Sequence, residues 1–272
     1  MIGVFDSGVG GLISYRKLRE LLPSERIVYL ADTGSAPYGT KSEEELRRLI
    51  DADISKLRSL GCDYILAACC TASAVIEKMP KESRSSIGTL IEPTAILASR
   101  TEGAVAVIAT EYTAKSHAFK NAIERLDPTK KVIELAEQGL VALVERGARD
   151  GYLDPESEGY LDRLAGRIKE SGATALILGC THFSHLSGEL GKRLPELSII
   201  SPALEGARMA ARMHRIGTDG CLSSSEEISD LPDARPYFAK SEESRINDRL
   251  RKYGTAPITV YTDGKKRGRL TS

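Results

Sequence analysis

The sequence predicts an α/β fold of doubly wound type, and three observations carry that expectation. Short apolar runs recur along the chain and are continuous rather than alternating. Segments of helical period lie between them, and one helix-strand unit occurs twice. The 272 residues are 41 % apolar and 28 % charged, the balance of a globular protein. A chain of this size buries roughly three quarters of its unfolded surface, so neither disulfides nor a structural metal is needed to hold it.

The apolar runs fall at residues 2–5, 27–31, 64–68, 105–109, 175–178 and 197–200. Rich in Ile, Val, Leu and Ala, they read as strands buried on both faces of a parallel sheet. Between the second and third, residues 42–60 place Leu46, Leu49, Ile50, Leu57 and Leu60 on one helical face. Ser42 with Glu45 makes a capping box, and Gly61 stands at the position after the helix where a left-handed glycine is favoured. A second helix is expected over 156–171, carrying Leu161, Leu164 and Ile168 and closed by Gly172. Strand and helix alternate almost throughout, the pattern of a doubly wound fold. Further on, 223–230 and 242–253 read as charged helices and 257–262 as a final strand returning to the first half. The basic run Lys265, Lys266, Arg267 and Arg269 reads as a solvated tail.

The repeat is the most informative feature. Leu60-Gly61-Cys62-Asp63-Tyr64-Ile65-Leu66-Ala67-Ala68-Cys69 and Ser171-Gly172-Ala173-Thr174-Ala175-Leu176-Ile177-Leu178-Gly179-Cys180 share one plan: a helix, a capping glycine, a buried strand, and a cysteine eight residues after that glycine. Small or hydroxylated residues follow each cysteine, Cys70-Thr71-Ala72-Ser73 in one copy and Thr181-His182-Phe183-Ser184 in the other. A duplicated α/β unit is the simple reading. If the halves face each other, their C-terminal strand ends meet across a cleft, where ligands bind in open α/β sheets.

Charge excludes an electrostatic argument for nucleic acid, since 38 basic residues balance 38 acidic ones. The first residues begin as a strand, without the basic and apolar regions of a signal peptide. The longest apolar stretches are far short of the ~20 residues that span a bilayer. A cytosolic protein with reduced thiols is therefore expected. Its five cysteines, Cys62, Cys69, Cys70, Cys180 and Cys221, include no C-x-x-C pair, which argues against zinc and thioredoxin-type chemistry. Core filling or catalysis remains for them.

Cys69 and Cys180 each follow a buried strand and precede an expected helix, whose backbone N–H groups favour an anion and lower a thiol's pKa. One such cysteine reads as a nucleophile. Two, one from each half, fit a symmetrical reaction in which one thiolate removes a proton from a carbon and the other thiol delivers a proton to the opposite face. Packing in the core is the usual fate of an isolated cysteine, but matched placement favours chemistry. Asp6 ends the first strand and is followed by Ser7-Gly8-Val9-Gly10-Gly11, where backbone amides can approach a carboxylate. His182 lies two residues after Cys180 and can exchange protons with it. A helix N-cap for Asp6 and a turn histidine for His182 are the plain alternatives. Asp32 closes the second strand ahead of a stiff turn through Pro37-Tyr38-Gly39. A strand, Gly8-x-Gly10 and a later acid also match part of a dinucleotide fingerprint, but the third glycine would be residue 13, which is Ile13.

These residues resemble the glutamate racemase family. The resemblance rests on Gly3-Val4-Phe5-Asp6-Ser7-Gly8-Val9-Gly10-Gly11, on 32–42 with its Pro37-Tyr38-Gly39, on Cys69-Cys70-Thr71-Ala72-Ser73-Ala74, and on Gly179-Cys180-Thr181-His182-Phe183. Weaker agreement occurs at Glu92-Pro93, at Ala109-Thr110 with Thr113 and Ser116, and at Val144-Glu145-Arg146-Gly147. The resemblance implies two similar α/β domains related by pseudo-twofold symmetry, with the site in the cleft between them. The expected division is 1–95 with 205–272 for the first domain and 96–204 for the second. It further implies interconversion of L- and D-glutamate without pyridoxal phosphate, metal or other cofactor, supply of D-glutamate for peptidoglycan, and a homodimer. By the same resemblance Cys69 and Cys180 are the acid/base thiols, assisted by Asp6 and His182. Ser7, Tyr38, Gly39, Cys70, Thr71 and Thr181 fall at substrate-binding positions, joined by Thr110, Thr113 and Glu145.

No arginine occurs in the four strong blocks, so backbone amides and hydroxyls are expected to hold the substrate's carboxylates. Closure of the halves is expected to keep water from the weakly acidic Cα–H. The chain departs from the family pattern in three places: Cys70 stands for the usual Asn, Ser184 for a proline, and Ser201-Pro202 for Asp-Ser. A thiol is a weaker hydrogen-bond partner than an amide, which bears on affinity and specificity. No N-terminal extension of the kind linked to a cell-wall precursor activator is seen, so that activation is not expected. Aspartate or maleate chemistry is the nearest alternative, and a silent bilobal binding protein is the alternative of another class.

Overall fold

Two parallel sheets with the same strand order carry the fold. The structure, a computed structural model, describes residues 1–146, 153–219, 235–238, 261–262 and 265–266. In the first sheet β1 (Ile2–Asp6), β2 (Ile27–Ala31), β3 (Tyr64–Ala67) and β4 (Ile87–Gly88) lie in the order β4-β3-β1-β2. In the second, β5 (Ala104–Ala109), β6 (Val132–Ala136), β7 (Ala173–Gly179) and β8 (Ser198–Ile200) lie in the order β8-β7-β5-β6. Strand for strand the second order repeats the first, and every one of these pairings is parallel. The six expected strands are thus present within two residues at each end.

Helices fill the crossovers in chain order: α1 (Leu12–Leu21), α2 (Glu43–Ser59), α3 (Cys70–Ile76), α4 (Ile91–Ser99), α5 (Glu111–Lys115), α6 (Ala118–Leu126), α7 (Gly139–Arg146), α8 (Pro155–Glu170), α9 (Ser187–Arg193) and α10 (Pro202–Asp219). Both expected helices begin and end on the local signals. The hydroxyl of Ser42 accepts from the Glu45 amide at 3.2 Å, while the Glu45 carboxylate pairs with Lys41 at 2.6 Å instead of returning to the Ser42 backbone. At the far end Gly61, at φ +86°, donates to Arg58 O at 2.9 Å and Cys62 donates to Leu57 O at 3.1 Å. Those two bonds are the paired closure of a Schellman motif. In α8, Asp154 accepts from the Ser157 amide at 2.7 Å and Gly172 ends the helix at φ +71°.

The core is layered. One apolar cluster joins the inward faces of both sheets, Ile2 and Val4 from β1 and Val105, Val107 and Ile177 from β5 and β7, to Leu18 of α1, Ala95 of α4, Phe119 of α6 and Ala207 of α10. The two sheets therefore share a helical layer. Outside the first sheet, Leu46, Ile50 and Leu57 of α2 cover Phe5, Val28 and Ile65; outside the second, Leu143 of α7 and Leu161, Leu164 and Ile168 of α8 cover Leu176 and Leu178. Burial on both faces explains the unbroken apolar runs. Cys62 belongs to the outer cluster of the first sheet, in keeping with a packing role.

The C-terminal expectations are met only in part. The strand that joins the first sheet is β9 (Arg235–Phe238), parallel to β2, whose outer edge would otherwise leave backbone groups unpaired. Of 257–262 only β10 (Tyr261–Thr262) is described, and it pairs antiparallel with β11 (Lys265–Lys266). Lys265 and Lys266 are thus strand residues rather than tail. The helices expected at 223–230 and 242–253, and Cys221, lie outside the described residues.

Candidate active site

The C-terminal ends of β1, β3, β5 and β7 deliver the polar side chains. Asp6, fully buried at the end of β1, accepts through Oδ2 from the amides of Gly8 at 3.0 Å and Gly11 at 3.2 Å. It thus orders the loop entering α1, close to the plain N-cap alternative, although Gly11 holds the cap position itself. Through Oδ1 it accepts from Thr181 Oγ1, on the other half, at 3.4 Å. A Cβ on Gly11 would stand 2.7 Å from Asp6 Cβ, so only glycine fits there. The Gly8 and Gly11 amides are thus spent on Asp6 rather than turned to a phosphate as in a dinucleotide turn.

Cys69 is the N-cap residue of α3 and lies 3.8 Å from Ser7 Oγ. Cys180 follows β7 but leads into a 3-10 turn, Thr181–Leu186, rather than an α-helix. Its sulfur is 4.0 Å from His182 Nδ1, and His182 Nε2–H donates to Glu145 Oε1 of α7 at 2.9 Å. One cavity of about 370 Å³ receives both cysteines. Around it stand Ser7, Tyr38, Gly39, Cys70, Thr71, Thr110, Glu145, Thr181 and His182. Asp6 and Thr113 lie behind this wall: Asp6 meets Thr181, the loop amides and the Cys69 thiol, and Thr113 hydrogen-bonds Thr71 at 3.2 Å and Thr110 at 2.9 Å. With the 3.1 Å contact between Thr71 and Thr110, three buried hydroxyls from both halves form a closed ring.

Sequence reasoning missed Thr33, Gln138 and Val141, which also line the cavity. Thr33 Oγ1 is buried without a protein partner, a free hydroxyl beside the site. Gln138 follows β6 and would have been found had that strand been recognised, because strand ends supply this cleft. Asp53 was missed as well. It sits on the apolar face of α2, 3.0 Å from the Tyr38 hydroxyl, which is also 2.8 Å from Asp32.

The two sulfurs stand in different fields. Burial, and then the Asp6 carboxylate, push the Cys69 thiol well above the ordinary thiol range, against partial relief from the Ala72 amide and Ser7. The expected lowering by the helix end is thus overturned at Cys69, because desolvation outweighs the dipole. Burial raises Asp6 too, with His182 and the Gly11 and Gly8 amides opposing it. Desolvation alone would lower His182, but its hydrogen bonds to Cys180 and Glu145 and the negative groups around it raise it to about 10. His182 is therefore cationic at neutral pH. The cavity wall contains no lysine or arginine among the described residues. Among those residues no cluster of three or more His, Cys, Asp or Glu is disposed to hold a metal, and no helix is long and apolar enough to cross a membrane.

A family model described as Asp/Glu/Hydantoin racemase matches residues 2–210. A glutamate racemase of Desulforudis audaxviator is 39 % identical over 214 residues, 77 % of each chain. Among solved structures, glutamate racemase isoform RacE1 from Bacillus anthracis superposes with a TM-score of 0.83 at 26 % identity over 98 % of both chains. The glutamate racemase of Francisella tularensis in complex with D-glutamate superposes with a TM-score of 0.75 at 28 % identity, covering 87 % of this chain and 86 % of that one.

Proposed function

The chain belongs to the Asp/Glu/Hydantoin racemase family and is a racemase, and from that premise we propose that it interconverts L- and D-glutamate by two-base catalysis with Cys69 and Cys180. The observation that carries the reading is the meeting of these two thiols, from equivalent strand ends of two sheets, in one cavity. A thiolate at Cys180 has the cationic His182 as its counter-charge and takes the proton from Cα. Cys69, which its surroundings keep as a thiol, gives its own proton to the opposite face. The step leaves a thiol at Cys180 and a thiolate at Cys69, and the reverse reaction uses that state. The resting arrangement returns when the Cys180 thiol gives one proton to water and the Cys69 thiolate takes one from water, with the cationic His182 and the Asp6 carboxylate setting the field at each sulfur.

The barrier lies in the weak acidity of a Cα–H beside a carboxylate. Hydroxyls of Ser7, Thr71, Thr110, Thr181 and Thr33 supply oriented dipoles for the substrate's carboxylates and for charge developing at Cα. Closure of the two lobes, 1–95 with 205–272 and 96–204, would exclude water. The product would enter peptidoglycan synthesis in the cytoplasm, and the working form would be a homodimer. Cys70, which lines the cavity, favours a second test on aspartate and maleate. Purified protein, without added cofactor, is incubated with L-glutamate in D₂O. Loss of the Cα proton signal with appearance of D-glutamate supports the proposal; the absence of exchange on glutamate refutes it, and exchange confined to aspartate transfers the assignment.

A further inference from the structure

Behind the Pro37-Tyr38-Gly39 segment lies a buried acid that the proposed reaction does not touch. Asp53 is 7 % exposed, on the face of α2 that also carries Ile50 and Leu57. Tyr38, 1 % exposed, sets its hydroxyl 3.0 Å from Asp53 Oδ2 and 2.8 Å from Asp32 Oδ2. Asp32 in turn accepts from Ser35 Oγ at 3.0 Å. A phenol has one proton and can donate to one carboxyl group only. The second short contact therefore needs a proton on a carboxyl group, which donates to the phenol oxygen. With Asp53 and the Tyr38 hydroxyl buried and Asp32 half-buried beside them, two carboxyl groups about one phenol retain a proton between them.

We propose that Asp53 is a positioning residue for racemisation: as the neutral acid of an Asp53-Tyr38-Asp32 chain it holds the Tyr38-Gly39 segment in the shape that meets the substrate. The inference rests on the racemase reading. Tyr38 and Gly39 line the cavity, and Gly39 is pressed so closely on the second half that a Cβ there would lie 2.7 Å from both Thr110 Cβ and Gln138 Oε1. A small shift of this segment therefore changes the site, while Asp53 itself is absent from its lining. The groups acting on Asp53 are Asp32 at the end of β2, Tyr38 on the turn, and Asp6 at the end of β1. Burial first, then the Asp32 charge, raise its carboxyl to about 8, with the Tyr38 hydrogen bond opposing and Asp6 adding. Above that pH two carboxylates face one phenol proton, and one of the two contacts must open.

KM and kcat for L-glutamate are measured from about pH 6.5 to 9 in the full-length protein and in Asp53→Asn, whose amide donates to the phenol oxygen at every pH. The expected result is a wild-type KM that rises on the order of threefold to tenfold across pH 8, kcat that changes less, and an Asp53→Asn KM that lacks this rise. In a Tyr38→Phe background Asp53→Asn should have no further effect on KM. The inference is overturned if Asp53→Asn titrates as the wild type does, or if it still acts without the phenol. Hydrogen exchange of the peptide spanning 36–41, corrected for intrinsic rates, gives a readout independent of turnover in the wild type itself. Protection that falls above pH 8 supports the proton chain, and unchanged protection overturns it. If protection falls while glutamate is not turned over, the racemase reading alone has failed.

Discussion

Cys69 and Cys180 occupy corresponding strand ends in two sheets that share a four-strand order, yet their neighbours carry opposite chemistry. Behind Cys69 lies Asp6, a buried carboxyl that raises the thiol further. Beside Cys180 lies His182, held cationic by Glu145 and by the cysteine. Repetition of the backbone thus places two sulfurs at one cavity, and the side chains around them give each a different electrostatic setting. Two thiols in equal fields would be equally ready to donate or accept. The unequal fields fit a resting state with the base on one side and the acid on the other. The halves also interlock, since Thr181 of the His182 side donates to Asp6 of the Cys69 side.

Serine in place of either cysteine tests the comparison hardest. Cys69→Ser and Cys180→Ser should each lower racemisation by about 10²–10⁴-fold or more, read as D-glutamate formation. Full activity in Cys180→Ser would break the pairing of the two sides. Gly39→Ala forces its methyl onto Thr110 and Gln138, and a displacement near 1 Å should raise KM by roughly 10- to 100-fold. Ordinary KM in that variant would show that the two halves are not in fixed contact there.

Glu145→Gln probes the Cys180 side alone. Removing the carboxylate should bring the His182 pKa down by ~1 unit or more, so the alkaline limb of the rate profile moves to lower pH while Asp6→Asn leaves the His182–Glu145 contact in place. The sign for stability follows from the raised folded pKa. His182 contributes fully below its ordinary value of 6.5, and that contribution is lost as pH rises through about 10. A Tm that falls over this range in the wild type and falls less in Glu145→Gln is the expected pattern. The smallest effect belongs to the scaffold. Ser42→Ala removes the α2 cap and should cost about 1 kcal/mol in denaturant unfolding, with kcat and KM unchanged.

Much of this was legible in the chain. Strands buried on both faces announce themselves as continuous apolar runs, and Gly61 and Gly172 mark helix ends because the backbone there takes positive φ. What stayed hidden has identifiable causes. β6 is a sheet edge whose residues are half-buried, with Glu134 in its middle, so it shows no unbroken run, and Gln138 went unseen with it. β4 has two residues and is too short for any period. Asp53 interrupts an apolar helical face without local signal, since its partners Tyr38 and Asp32 come from other elements. Glu137 was hidden in the same way, a buried carboxylate explained only by Arg167 at 2.6 Å and Tyr160 at 2.5 Å on α8.

By itself the sequence determined the α/β class, the duplicated unit and the candidate cysteines, because periodicity, capping glycines and repeated spacing are properties of neighbours along the chain. Tertiary structure decided the surroundings of those cysteines. A pKa depends on burial and on charges brought within a few ångströms from distant segments, and no spacing along the chain records that Asp6 faces Cys69, that Glu145 faces His182, or that Asp53 and Asp32 share the hydroxyl of Tyr38.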